Sequence, residues 1–159
     1  MNLYFIRHEQ AEDIAISRKD FDRNLTNVGI KRIKNSVKFW EYFIKLDIVL
    51  SSPYNRALQT AEVIAKHFNV SLKVVEQLGC GVTTNEILDI LENYSEYDNI
   101  GIVGHEPDIS SAISDLTGNG YLRIEIKKGS ISKVTFFNKP NLNTGILEFC
   151  IPAKAFMKK

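Results

Sequence analysis

"LYFIRHEQAE", residues 3–12, begins with four apolar residues in a row and then presents Arg7, His8 and Glu9 in succession. A short apolar run that stops this abruptly reads as a buried strand whose end carries a guanidinium and an imidazole side by side. Outward along the chain the same grammar returns twice. "DIVL" (47–50) runs into "SSPYNR", and "NIGIV" (99–103) runs into Gly104 and His105. Each buried strand ends in cationic or titratable groups.

Between these runs lie segments of helical period. Thr26 is placed to cap a helix whose apolar residues Ile30, Ile33, Val37, Trp40 and Ile44 recur every three or four positions, to about Leu46. Before it, residues 9 to about Asn24 read as a polar loop. Pro53 precedes a second helix with Ala57, Ala61, Ile64, Ala65 and Phe68 on its inner face. "VSLKVV" (70–75) reads as a strand. Thr83 and Glu86 have capping-box spacing ahead of Ile87, Leu88, Leu91 and Tyr94. Pro107 and Asp108 start a last helix, with Gly118 expected just past its end. "SISKVTFF" (130–137) and "GILEFCI" (145–151) alternate like an antiparallel pair. The rhythm is that of an α/β domain with a mostly parallel sheet and a late antiparallel addition.

Composition narrows the function. With 159 residues and 44% hydrophobic content, the expectation is one domain, 1–159, with a full core. Twenty Lys+Arg against nineteen Asp+Glu give a net charge of +1, so no global field draws in nucleic acid or an anionic membrane. Cys80 and Cys150 lack metal or redox spacing, and no signal peptide or membrane-spanning run is evident, which points to a soluble cytoplasmic protein.

The carboxyl ends of parallel strands share one edge of an open α/β sheet, so Arg7, His8, Arg56 and His105 are expected to converge there. Two imidazoles with Glu9 or Glu106 would suit a metal, but two guanidiniums repel a divalent cation and match the oxygens of a phosphoryl group. Surrounding positive charge keeps an imidazole neutral and nucleophilic, and it also stabilises the charge of a phosphoryl group in transfer. No metal or other cofactor is needed for that chemistry. Arg56 lies one turn inside a helix N-terminus, itself favourable to anions. His67, in the last turn of its helix, reads as a surface cap. Cys80 between two glycines reads as a small buried hydrophobe or a bystander. Ser51 or Ser52 with His105 and Asp108 does not make a hydrolase triad, since the G-x-S-x-G elbow is missing. Lys127, Lys128, Lys158 and Lys159 read as solvated charges, the first pair near enough to the site to steer an acidic protein.

The Arg7-His8 pair after the first strand, "LTNVG" (25–29), "SSPYNRALQTAE" (51–62) and "VGHEPDIS" (103–110) together resemble the histidine phosphatase superfamily, most closely its small SixA-type phosphohistidine phosphatases. The resemblance runs from residue 2 to about 137. It implies a three-layer α/β/α, phosphoglycerate-mutase-like fold and a phosphatase working through a phosphorylated His8. Arg7, Arg56 and His105 would then be phosphate ligands, with His105 also stabilising the transition state. It further implies a phosphorylated protein as substrate, such as a histidine phosphotransfer domain, because the chain carries little beyond core elements to roof the pocket. A metabolite phosphatase or mutase of the same fold, and a phosphoprotein-binding module without turnover, are the alternatives. Two positions depart from the pattern. Glu9 stands where the family usually has glycine, and is expected to face solvent or pair with a cation. Glu76 is the one nearby acid in the segment from which larger members supply a proton donor, and is a possible general acid. The lack of a firm one suits an imidazole leaving group, which needs less help than a sugar alkoxide.

Overall fold

Leu3 and Phe5 of the first strand, β1 (Asn2–Arg7), face one side of the sheet and Tyr4 and Ile6 the other, and all four are sealed from water. Burial on both faces is why the run is continuously apolar rather than alternating. The computed structural model describes residues 1–17 and 19–156. Along the chain β1 is followed by α1 (Ile14–Ser17), α2 (Asn27–Trp40), β2 (Ile48–Ser51), α3 (Asn55–Phe68), β3 (Ser71–Val74) and α4 (Thr84–Glu92). Then come β4 (Asn99–Gly104), α5 (Asp108–Gly118), β5 (Ile131–Thr135) and β6 (Ile146–Ile151).

One six-stranded sheet has the order β3-β2-β4-β1-β5-β6. β1 to β4 pair in parallel; β5 runs antiparallel to β1, and β6 antiparallel to β5. Helices α2 and α3 cover one face through Ile33, Val37, Trp40, Ala61 and Ile64. Helices α4 and α5 cover the other through Ile87, Leu91, Ile113 and Leu116. The result is the expected three-layer α/β/α arrangement.

Local signals do what their chemistry requires. The Thr26 hydroxyl accepts the Gly29 N–H, and Thr83 and Glu86 close a reciprocal capping box. Gly29 is glycine for space: a Cβ there would collide with the Gln10 carbonyl, to which the Thr26 N–H donates at 2.9 Å. The start of α2 is thereby clamped onto the loop that follows His8.

Three expectations need correction. The polar loop before Asn24 contains the short helix α1. α2 ends at Trp40, where hydrogen-bonded turns through Ile44 redirect the chain into β2, although Ile44 and Leu46 are buried as their spacing required. Gly118 is the last residue of α5, and Asn119, at φ 55°, takes the left-handed position, which asparagine tolerates. His67 does lie in the last turn of α3, where its Nε2 meets Glu41 Oε2 at 2.7 Å. Lys158 and Lys159 lie outside the described residues. Among those residues no helix is long and apolar enough to cross a membrane.

The register fixes where function can sit. Arg7 pairs with Gly104 and Ser51 with Val103, so β1, β4 and β2, adjacent in the sheet, end at one level. The ladder continues one residue further, His8 N–H donating to Gly104 O at 3.1 Å and Ser52 N–H to Val103 O at 3.0 Å.

Candidate active site

At that edge the four residues singled out from sequence meet. The His8 and His105 ring centroids are 5.2 Å apart, and Arg56 Nε–H donates to His8 Nε2 at 3.1 Å. His8, His105 and Arg56 are all buried. The first two follow β1 and β4 directly, while Arg56 reaches in from the first turn of α3.

Hydrogen bonding sets the form of each ring. His8 Nδ1 lies 2.7 Å from the Glu9 carbonyl, which can only accept, so Nδ1 carries the proton and Nε2 offers its lone pair toward Arg56. Burial, then the charges of His105, Arg56 and Arg7, lower the His8 pKa to about 3 against the pull of the Glu9 carbonyl. A neutral imidazole with a free Nε2 is the nucleophilic form. Ser52 Oγ lies 2.7 Å from His105 Nε2 and accepts the Tyr54 N–H; when its own proton is directed at the ring, Nδ1 is the imidazole N–H. Burial and Arg56 lower the His105 pKa to about 4.

Two buried nitrogens at this site have no partner among the described residues: His105 Nδ1 and Arg7 Nε. Buried N–H groups are rarely orphaned unless an acceptor belongs beside them. Arg7 is otherwise fixed, its Nη1 donating to Ile126 O at 2.7 Å. Arg56 is fixed by Asp20, whose carbonyl accepts Nη1 at 2.7 Å and whose carboxylate accepts Nη2 at 3.0 Å. Two guanidiniums and two imidazoles with unpartnered nitrogens have the chemistry that matches the oxygens of a tetrahedral oxyanion.

The sequence model of the histidine phosphatase superfamily (branch 1) matches residues 3–79. An uncharacterised protein of Picosynechococcus sp. is 33% identical over 113 residues, covering 69% of this chain and 68% of that protein. The chain belongs to the histidine phosphatase superfamily. A phosphohistidine phosphatase SixA homolog of Haemophilus influenzae is 28% identical over 130 residues, covering 74% of this chain and 78% of its own. In fold, the histidine phosphatase SixA solved with tungstate superposes at TM-score 0.84, with 20% identity over 99% of this chain and 100% of that one. An α-ribazole phosphatase of Shigella flexneri superposes at 0.77, with 18% identity over 96% and 97%. The chain is SixA-like in fold, a fold it also shares with the α-ribazole phosphatase.

Glu9, the departure from the family glycine, does not face solvent. It is 0% exposed, no ion pair reaches it among the described residues, and its carboxyl packs against Gly129 and Ala153. A Cβ on Gly129 would strike Oε1, and the residue's φ of +70° suits glycine. Oε2 accepts the Gln10 N–H at 2.8 Å while Oε1 has no partner among the described residues. Burial raises the Glu9 pKa despite Arg32 and Lys128 nearby. The folded state therefore favours the protonated acid, and the wild type loses stability as pH rises through the folded value. Glu9→Gln is expected to melt about 2–4 °C above wild type at pH 8, with the gap closing below pH 5, in paired thermal unfolding curves. A wild type that melts higher at pH 8 would show that Arg32 and Lys128 keep the carboxylate charged.

Other assignments shift as well. Cys80 is exposed as a residue rather than buried, its Sγ 3.6 Å from Arg56 Nη2, and partial desolvation of the sulfur raises the thiol's pKa. Glu76 is exposed in a groove with Glu86 and Asp89 that none of the four site residues lines. Ser52 does touch His105, but the Asp108 carboxylate accepts the Gly81 N–H at 2.8 Å, which leaves no triad. Asp20 and Tyr54 complete the site and were not singled out from sequence. The Tyr54 ring lies 4.8 Å from Arg56 Cζ and 5.0 Å from His105. Tyr54 was findable, since it stands two residues before Arg56; Asp20, 36 residues upstream, carried no local signal.

Proposed function

We propose that the chain is a phosphohistidine phosphatase acting on a phosphorylated protein through a phosphoryl intermediate on His8. The observation that carries this reading is the pair of buried nitrogens without a partner among the described residues, His105 Nδ1 and Arg7 Nε, beside a neutral His8 Nε2.

A phosphoryl group entering the site takes the Arg56 Nε–H onto one of its oxygens, freeing His8 Nε2 for in-line attack. The N–P bond to His8 forms as the bond to the leaving imidazole breaks, and that imidazole, already protonated on its other ring nitrogen, departs neutral. Arg7, Arg56 and His105 hold the charge spread over the equatorial oxygens. Water then attacks phosphorus, releasing inorganic phosphate and restoring neutral His8. Every step is served by this chain's own side chains.

The acid inventory supports the phosphoramidate substrate. The carboxylate beside the site is Asp20, and its hydrogen bond to Arg23, with the Arg56 charge, holds it below the usual range. An ionised Asp20 cannot donate a proton at neutral pH, so a leaving group that needs none is favoured over an alkoxide. The likeness to the Haemophilus influenzae SixA homolog points the same way. A single histidine-phosphatase domain over 1–159 and a cytoplasmic location, with Cys80 and Cys150 both free, belong to this proposal. The test is kcat/KM for a phosphorylated histidine phosphotransfer domain against 3-phosphoglycerate and p-nitrophenyl phosphate. The phosphoprotein is expected to lead by about 10²-fold or more, since substrate binding remote from the reacting centre contributes to the transition state. A preference for phosphoglycerate would replace this reading with a metabolite phosphatase.

A further inference from the structure

On one flank of the site a groove of about 390 Å³ is lined by seven residues, of which five are the cations Arg7, Arg32, Lys127, Lys128 and Lys154 and none is acidic. In a chain of net charge +1 this is a concentration of one sign in one place. We propose that this groove docks an acidic face of the phosphoprotein substrate while its phosphoryl group lies on His8. The inference rests on the protein-substrate reading above and specifies where that protein is held.

The groove and the phosphate site share a wall. Arg7 lines both, its Nη1 bonded to Ile126 O and its carbonyl accepting the Gly129 N–H at 3.0 Å, so the turn bearing Lys127 and Lys128 is pinned to the strand that presents His8. Lys154 closes the far side from the 3₁₀ turn Ala153–Phe156. Among the described residues Lys128 and Lys154 make no ion pair, and Lys127 makes only a solvent-exposed one with Glu125 at 3.3 Å. These charges are not spent on the fold.

The kind of charge selects the occupant. The lysines are exposed and end in mobile, point-like ammonium groups. Such a set suits carboxylates dispersed over a protein surface, whereas a second phosphate on a small molecule calls for fixed, forked donors like those around His8. Pro152 and Ala153 supply the apolar part of the lining, against which the stems of a partner's side chains can pack.

The test uses K127E/K154E, leaving Lys128 in place because its charge faces Glu9. For a phosphorylated histidine phosphotransfer domain at low ionic strength, kcat/KM is expected to fall about tenfold or more, carried by KM, and its decline with added salt to flatten. Turnover of p-nitrophenyl phosphate is expected to stay within about twofold of wild type, which also shows that the variant is folded. Unchanged kcat/KM on the phosphoprotein, or an equal loss on both substrates, would overturn the docking assignment while leaving the phosphohistidine reading intact. A wild type that hydrolyses p-nitrophenyl phosphate but not the phosphoprotein would overturn both, and the wild-type arm alone reports it.

Discussion

Replacing His8 by alanine is expected to lower phosphatase turnover by about 10⁴-fold or more, because the proposed route has no second nucleophile. His105, the other imidazole at the site, has its Nε2 held at 2.7 Å by Ser52 Oγ and is assigned to holding the phosphoryl oxygens rather than to attack. Phosphate affinity should suffer far less, since Arg7, Arg56 and His105 remain. The pH profile gives an independent check. With the His8 pKa lowered to about 3, the nucleophile stays neutral through the ordinary acid range, and wild-type kcat/KM is expected to show no histidine-type fall between pH 8 and pH 5 once substrate ionisation is allowed for. An inflection near the ordinary histidine value of about 6.5 would place the imidazole in water rather than in this pocket.

Arg56 is the second large lever. Its three nitrogens are each committed, Nε to His8 and the other two to Asp20, so the plane of the guanidinium is set before substrate arrives. Arg56→Ala is expected to cost about 10³-fold in kcat/KM, in line with the loss of a donor aimed at transferring oxygens. Arg56→Lys should recover no more than about tenfold of that, because one ammonium cannot serve Asp20 and the phosphoryl group in the same geometry. Asp20→Asn keeps the carbonyl contact and weakens only the carboxylate one, and is expected to cost about three- to tenfold. Steady-state kinetics on one phosphoprotein substrate, with thermal melting to confirm folding, checks the series. A lysine variant close to wild type would mean that charge alone matters and that the fork held by Asp20 does not.

The parts of this account that were legible in the sequence share one property: their information is local or set by strand period. β1, β2 and β4 show as apolar runs because both faces of the sheet are covered, and their ends converge because parallel neighbours must end together. The caps at Thr26 and Thr83 follow from hydrogen bonds closed within three residues. Arg56 was legible for the same reason, one turn into a helix that follows a strand.

What escaped depends on contacts between distant segments. Glu9 turns inward because Gly129, 120 positions later, leaves space where any side chain would collide, and nothing near Glu9 announces that. Asp20 is one carboxylate in a polar stretch until α3 brings Arg56 against it. The exposure of Cys80 is set by how the turn after β3 lies over Arg56 and Tyr54, again a tertiary matter. The groove beside Arg7 joins cations from α2, the 126–130 turn and the turn after β6, and only the paired lysines at 127 and 128 were visible beforehand.

The covalent intermediate is the central claim, and trapping it is the most direct test. Wild type and His8→Ala are mixed with phosphoramidate or a phosphorylated histidine phosphotransfer domain, quenched in alkali within milliseconds and examined by intact and peptide mass. The account predicts one acid-labile, alkali-stable phosphoryl group on the peptide containing His8 in wild type and none in the variant. Substrate turned over at full rate by His8→Ala, or a phosphoryl group found on His105 instead, would contradict it.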